Sequence, residues 1–599
     1  MAKRVFTLFL LVIGFWAGNK ISYQIRTDLT AGVGFDKLLD RFWLNLTQPF
    51  HLSNEPIDIG IGVGVIVVAG LVWLYQNAGR GQRRQGEEHG SAAWATPAAM
   101  RPFTDKNSRN NLRMTASEAL SLNSRKTQRN LNALVIGSSG SGKSRYYVMP
   151  NLAQANTSFA VTDPKGELLS QTGAYLTESG YQIRCLNLVD FARSDGFNPL
   201  KYFNDDQPEV DCTILTENFI TNTTGNKPYA GGDFWEKAER ALLNALISYI
   251  YFTKGHKGTL VDVVDLLARM QASESDETRK SDVDLLFEAV RDLIADFDAD
   301  PFPDQWGLEA RQAISGLRFA WAQYNTYTQG AGETKKSVII SLGVRMAPLH
   351  MASMRELLSR DTIDLDQIGR TKTALFLIIP DTHAAFNFLV SIFYELLFEV
   401  NIYIADHLPE RHLPVHVQCF MDEFANIGKM PSFERKIAVM RSRGISTSII
   451  VQNFSQGKAL YKDDWETIVG NCDSMLFLGG NEKSTTEYVS KLIGKQTITS
   501  TDISESRGRN GSWTMQNRSL GRELLTADEI GRLPGQECLY VLRGVRPFKS
   551  RKLPAPTLTT PYTYTPTKGK EPSRIEITWH PDLTGEDIFP GSQYLQIIS

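Results

Sequence analysis

The stretch "LNALVIGSSGSGKSRYYVMPNL", residues 131–152, constrains the fold more than any other part of this 599-residue chain. An apolar run enters a loop of pattern GxxxxGKS, Gly137 to Ser144, and a segment able to form helix as far as Pro150 leaves it. Strand, glycine-rich turn and helix, in that order, are the context a phosphate-binding loop requires. The small residues Gly137, Ser138, Ser139, Gly140, Ser141 and Gly142 let consecutive N–H groups close around phosphate oxygens at a helix N-terminus. Lys143 adds a cation for the β and γ phosphates, and Ser144 offers a hydroxyl to Mg2+. The expected ligands are therefore ATP and Mg2+. A chance Gly/Ser-rich turn is the alternative, and the flanking pattern argues against it.

Such a loop needs a partner acid at the end of another apolar strand, and "LPVHVQCFMDEFANIG" supplies one. Apolar alternation through Val415, Val417, Cys419 and Met421 leads to Asp422, placed to orient Mg2+, and to Glu423, placed to polarise the attacking water as general base. The next strand, "GISTSIIVQNFSQ", ends in Gln452, of the type that contacts a γ phosphate or holds the water. Between them, "MRSRG" carries Arg441 and Arg443; either could reach a neighbouring subunit's nucleotide as an arginine finger, or form a solvated basic pair. Further strand signals, "FAVTDPKGEL", "TALFLIIPDT" and "SMLFLGG", alternate with helix-length segments. The expectation is an α/β fold, a mostly parallel sheet with helices on both faces and the site outside the carboxyl ends of its strands.

Lys143 and Asp422 lie 279 positions apart, more than a compact nucleotide core needs. Residues 205–330 fill the interval with helical patterning: "DFWEKAERALLNALISYIYF", then "TLVDVVDLLARM" and "SDVDLLFEAVRDLIADF" with Asp and Ser caps. An inserted all-α domain over 205–330 is expected, the nucleotide-binding domain taking 80–204 and 331–553. Its aromatic and apolar stripes read as core. Residues 498–520 read as a mobile polar loop, and 554–599, rich in Pro and Thr at its start, as an extended linker and tail.

Two apolar segments precede all of this. "VFTLFLLVIGFWAG", residues 5–18, follows Lys3 and Arg4, and "IDIGIGVGVIVVAGLVWLY", residues 57–75, is followed by Arg80, Arg83 and Arg84. Nineteen residues at 1.5 Å each nearly cross a hydrocarbon core of about 30 Å. With basic residues at both cytoplasmic flanks, residues 1–79 read as a membrane anchor: spans near 5–23 and 57–75, residues 24–56 outside, both termini cytoplasmic. A cleaved signal peptide is the rival reading for the first segment. Glycines 60, 62, 64 and 70 would let helices pack closely. No comparably long apolar run is read after residue 79. A formal net charge of -2 gives no global field for nucleic acid, so DNA contact must be local. Five scattered cysteines without CxxC pairs read as buried thiols.

Taken together, the chain resembles type IV secretion coupling proteins of the TraG/TraD class, in the conjugal-transfer branch of Gram-positive mobile elements. Blocks carrying the resemblance include "HGSAAWAT", "TDPKGEL", "LNLVDFARSDGFNPL", "DFWEKAERALLNA", "GETKKSVIISL", "DEFANIGKMPSFERKIAVMRSRGIS", "NCDSMLFLGGNEKSTTEYVSKLIGKQT" and "RELLTADEIGRLPGQECLYVLRGVRPFKSRK". The resemblance covers residues 1–552. It implies a membrane-anchored ring, a homo-hexamer, of RecA-like ATPase domains bearing all-helical domains. Such a ring passes a relaxase bound to single-stranded DNA, with relaxosome accessory proteins, to the type IV secretion channel. Within the quoted block Arg441 fits the family's trans finger better than Arg443. The alternatives are a double-stranded DNA translocase of the FtsK/HerA type, disfavoured by the long insertion, and a non-hydrolysing scaffold, disfavoured by Lys143, Asp422 and Glu423.

Overall fold

A computed structural model of the chain describes residues 2–34, 52–78, 86–224, 232–271, 280–300, 307–505, 513–558 and 560–567. These fall into two compact units, one within Met1–Ser91 and Thr497–Arg522, the other within Ala92–Gln496 and Glu523–Ser599.

The larger unit is built on a nine-stranded sheet whose strands, in chain order, are β3 (Ala133–Ile136), β4 (Ser158–Thr162), β5 (Gln182–Asn187), β6 (Thr373–Ile378), β7 (Val417–Met421), β8 (Ile445–Val451), β9 (Ser474–Phe477), β12 (Glu537–Leu542) and β13 (Phe548–Arg551). A short antiparallel pair, β1 (Asn111–Arg113) and β2 (Ala119–Ser121), precedes it. The spatial order is β13-β12-β9-β3-β8-β7-β4-β6-β5. Strands β3 to β9 pair in parallel, and β12 and β13 close one side antiparallel. Period-two alternation sorts each strand between two cores. Leu134 and Ile136 face one apolar cluster, Ala133 and Val135 the other; Cys419 and Met421 face the first, Phe420 the second. Such strands are apolar on both sides because both faces of a parallel sheet are covered.

Among the described residues between 208 and 358 every regular element is helical: Pro208–Thr223, Gly232–Lys254, Leu260–Ala268, Asp282–Ala299, Leu308–Thr328, Gly332–Arg345 and Ala352–Leu358, with short 3₁₀ turns between some of them. Two of these helices start in capping boxes, Thr259 with Asp262 and Ser281 with Asp284, where each hydroxyl and carboxylate satisfies an otherwise unpaired backbone N–H. Their apolar faces join the same cluster as Leu134 and Met421.

Helix Asn387–His407 corrects the expectation that no long apolar run follows residue 79. It alone among the described residues is long and apolar enough to cross a membrane by length and composition, yet 78% of its apolar window is buried inside the fold. Polar Glu395, Glu399 and Asn401 punctuate the run and hide it from a reading by eye.

In the smaller unit, helices Ala2–Thr30 and Pro56–Ala78 pack against each other. Their close point is Gly18 against Gly62: a Cβ on Gly18 would lie 3.0 Å from the Gly62 Cα, whereas Gly60, Gly64 and Gly70 face open space. At one end Asp58 accepts hydrogen bonds from Ser22 and Ser53, each at 2.6 Å, and pairs with Arg26 at 2.9 Å. Arg80, Arg83 and Arg84, which set the expected orientation, and most of the expected outer loop lie outside the described residues.

Two further expectations change. Of the expected loop 498–520, residues 498–505 and 513–520 are strand, part of a two-stranded sheet of β10 (Lys495–Glu505) and β11 (Trp513–Glu523), and 506–512 lie outside the described residues. Thr497, Ile498, Thr499, Thr501 and Ile503 are β-branched and suit a pleated backbone despite their polar setting. The Pro/Thr segment is extended as expected, but its described part is docked, as set out below. The tail beyond residue 567 lies outside the described residues.

Candidate active site

The loop from Gly137 to Lys143 is fixed at its entry by two backbone bonds: Gly137 N–H to the Val451 carbonyl at 3.1 Å, and Ser138 N–H to the Gly479 carbonyl at 2.9 Å. Gly140 and Gly142 turn through positive φ, +77° and +83°. A Cβ at Gly142 would also meet the Tyr146 ring at 2.4 Å, and one at Gly137 would meet Ser141 Oγ at 2.3 Å, so neither position admits a side chain. The segment that follows begins as a wide π turn, Ser144–Val148, and continues helically as Met149–Leu152. It therefore runs through Pro150 rather than ending there. Pro150 lies just past the wide turn, where the regular i→i−4 ladder is already interrupted.

Around this loop the fold gathers five of the expected residues at the carboxyl edge of the sheet. Ser144 Oγ donates to Asp422 Oδ2 at 2.6 Å. Lys143, almost fully buried, places Nζ 3.4 Å from Glu423 Oε1. Gln452 Nε2 donates to Glu423 Oε2 at 3.0 Å. Asp422 directly follows β7 and Gln452 directly follows β8, which pair in parallel, so both emerge at the same edge as the loop after β3. Glu423 adopts φ +50° and ψ +49°, left-handed backbone that is costly for a residue with a Cβ. That turn brings its carboxylate to Lys143 and Gln452.

Burial pushes the Asp422 carboxyl above the usual carboxylate range, opposed by the Ser144 hydroxyl and the Lys143 charge. Asp163, one residue past β4, is pushed up to about 6 by burial, with the Asp422 charge adding to the effect. Its carboxylate accepts the Leu169 N–H at 2.9 Å. Asp163 is the site residue that the sequence reading passed over. The signal was present in "FAVTDPKGEL": an acid directly after an apolar strand, the same arrangement that identified Asp422.

An open cavity of about 130 Å³ adjoins the loop, lined in part by Ser138, Ser139, Gln452, Asn453, Asn481 and Glu482. The residues suit a nucleotide and a cation on structural grounds: glycines turning through positive φ at 140 and 142, a buried Ser141 Oγ lacking a hydrogen-bond partner, and a hydroxyl and a carboxylate already in contact at Ser144 and Asp422.

Arg441 is not brought to this site within its own chain. It ends helix Phe433–Arg443, just before β8, whereas Gln452 follows β8. Seven strand residues separate the two by about 23 Å. Arg441 Nη2 donates to the Ser124 carbonyl at 3.0 Å, and Arg443 pairs with Asp406 at 2.8 Å. Four of the five cysteines are buried and Cys472 is partly so, all unpaired.

Residues 99–554 match the family model described as type IV secretory system conjugative DNA transfer. Protein VirD4 of Rhizobium rhizogenes is 21% identical over 526 residues, 86% of this chain and 72% of that protein. Conjugal transfer protein TraG of Escherichia coli is 33% identical over 135 residues, 21% of each chain. Among solved structures, the bacterial conjugative coupling protein TrwB in its unbound form aligns with a TM-score of 0.52 at 15% identity, covering 81% of this chain and 97% of that one. TrwB in complex with a non-hydrolysable GTP analogue aligns with a TM-score of 0.50 over the same shares of the two chains.

Proposed function

Since the chain belongs to the family of type IV secretory system conjugative DNA transfer proteins, we propose that it is a membrane-anchored ATPase that couples relaxase-bound single-stranded DNA to a secretion channel and powers its export. The observation that carries this reading is the convergence of Lys143, Ser144, Asp422, Glu423 and Gln452 at one sheet edge.

When bound, Mg2+ and ATP supply the transferable phosphoryl group and a divalent charge that neutralises its oxygens. Residues Gly137 to Ser144 hold the phosphates, and Ser144 and Asp422 hold Mg2+. Glu423 takes the proton of the attacking water while Gln452, already bonded to it, sets the orientation. Lys143, paired with Glu423 in this structure, would meet the β and γ phosphates.

The rest of the assignment follows the family. Helices Ala2–Thr30 and Pro56–Ala78 form a two-span anchor in the bacterial membrane with both termini cytoplasmic. Residues 205–330 form an all-α domain that receives the relaxase and relaxosome proteins, mounted on a nucleotide-binding domain of 80–204 and 331–553. Six copies form a ring in which Arg441 completes the neighbour's site. Its distance from the site of its own chain supports a role in trans.

The test is ATP turnover by the full chain in detergent, with and without single-stranded DNA, beside Lys143→Ala. Stimulation by single strands that is lost in the variant is the expected result. Stimulation by duplex alone indicates a duplex translocase, and inactivity of assembled rings indicates a scaffold.

A further inference from the structure

The segment that follows the sheet returns to the phosphate-binding loop. Lys552 comes directly after β13, its N–H bonded to the Gln536 carbonyl at 2.9 Å. Its side chain is only 6% exposed. Nζ donates to the Ser141 carbonyl at 3.0 Å and lies 5.4 Å from the centre of the Tyr146 ring. That ring is the one packed against Gly142. One ammonium thus touches both the loop and the aromatic residue that backs it.

The chain beyond Lys552 is tied down. Tyr562 N–H donates to the Ser170 carbonyl at 2.8 Å, and the Tyr562 ring fills the space beside Gly173, where a Cβ would come within 2.2 Å of it. Tyr564 donates its hydroxyl to the buried Asp195, and Thr567 N–H reaches the same carboxylate at 2.9 Å. The described residues 552–558 and 560–567 form a strap anchored at Lys552 and at Tyr562, Tyr564 and Thr567.

A trans peptide points its C=O and the following N–H in opposite directions. Fixing the Ser141 carbonyl therefore fixes the Gly142 N–H, and glycine at φ +83° would otherwise let that peptide flip. A phosphate cradle works only if its amides already face the anion.

We propose that Lys552 is a positioning residue of the phosphate-binding loop, holding the Ser141–Gly142 peptide in its phosphate-facing orientation, and that the strap to Tyr564 holds Lys552 there. The inference rests on the reading of this loop as an ATP site. It gives "FKSRK", a closing block of the sequence without a role in the nucleotide motifs, a function at the loop.

The test compares full-length wild type with Lys552→Met, Lys552→Arg and Tyr564→Phe, reading KM and kcat for ATP, binding of a fluorescent ATP analogue, and the nucleotide-free melting point. Methionine keeps the stem over Tyr146 and removes the charged donor. Lys552→Met raises KM and the dissociation constant on the order of tenfold, the scale of one charge-assisted hydrogen bond, with kcat within about twofold of wild type. Lys552→Arg recovers part of the affinity. Tyr564→Phe moves KM the same way by less, and its position away from the loop keeps the idea testable if Lys552→Met folds poorly. An unchanged KM in a folded Lys552→Met, or arginine no better than methionine, overturns the role of Lys552; an unchanged Tyr564→Phe overturns the strap. A wild type that binds no nucleotide overturns the ATP reading itself, and is seen before any variant is compared.

Discussion

Glu423 is where backbone strain and chemistry coincide. Left-handed backbone at a glutamate is stabilised here by the ion pair to Lys143 and the bond from Gln452, so the surrounding structure over-determines the turn. Glu423→Gln keeps the side chain's length and removes the base. The expected outcome is a fall in kcat of at least about a hundredfold with ATP binding retained, seen as trapped nucleotide in single-turnover assays; turnover at the wild-type rate would show that another group takes the proton. Asp163 gives a prediction about pH. Its carboxyl titrates near 6 in the fold against an ordinary 3.8, so across that window the folded state holds the extra proton. Stability from this group is present at low pH, falls as pH rises through the window, and levels off above about 6. Asp163→Asn removes a fall of up to about 3 kcal/mol, at 1.36 kcal/mol per pKa unit. Melting without nucleotide or Mg2+ should therefore fall less with pH in the variant than in wild type, and parallel curves would contradict the assignment. Asp422 was legible as an acid closing an apolar strand; the same strand-end logic at Asp163 went unused because a lone Asp before Pro also suits a turn.

At the scale of elements, the helical stretch depends on close approach. A Cβ on Gly316, in helix Leu308–Thr328, would lie 2.1 Å from the Phe252 ring of helix Gly232–Lys254. Gly316→Ala should force the two helices apart and cost about 1–3 kcal/mol, read as a lower denaturant midpoint; a variant as stable as wild type would mean that the Phe252 ring turns aside freely. The existence of these helices was legible from apolar spacing and caps, and the parallel sheet from its apolar runs. What escaped the sequence shares one physical cause, namely that packing overrode local composition. β10 is β-branched but broken by polar residues and β11 is mostly polar, so turn-like residues concealed a strand pair. The strap around Tyr562 and Tyr564 looks like a free linker until Gly173 and Asp195, hundreds of positions earlier, are seen to receive it. Lys552 was equally invisible, since its partner is a backbone carbonyl that carries no residue-type signal.

A whole molecule carries a nucleotide edge at one end of β8 and Arg441 at the other. If each site borrows its arginine from a neighbour, Lys143→Ala and Arg441→Ala damage different halves of the same interface. Each variant alone should be inactive. Mixed in equal amounts before assembly, half the positions bear an intact loop and half of their neighbours an intact arginine, so about one site in four is whole and turnover returns to roughly that fraction of wild type. A mixture as inactive as its components would place the finger on another residue. The same separation would make activity a property of neighbours: a copy without Arg441 would disable the site next to it and keep its own, and a solitary copy would hydrolyse almost nothing until its companions arrive.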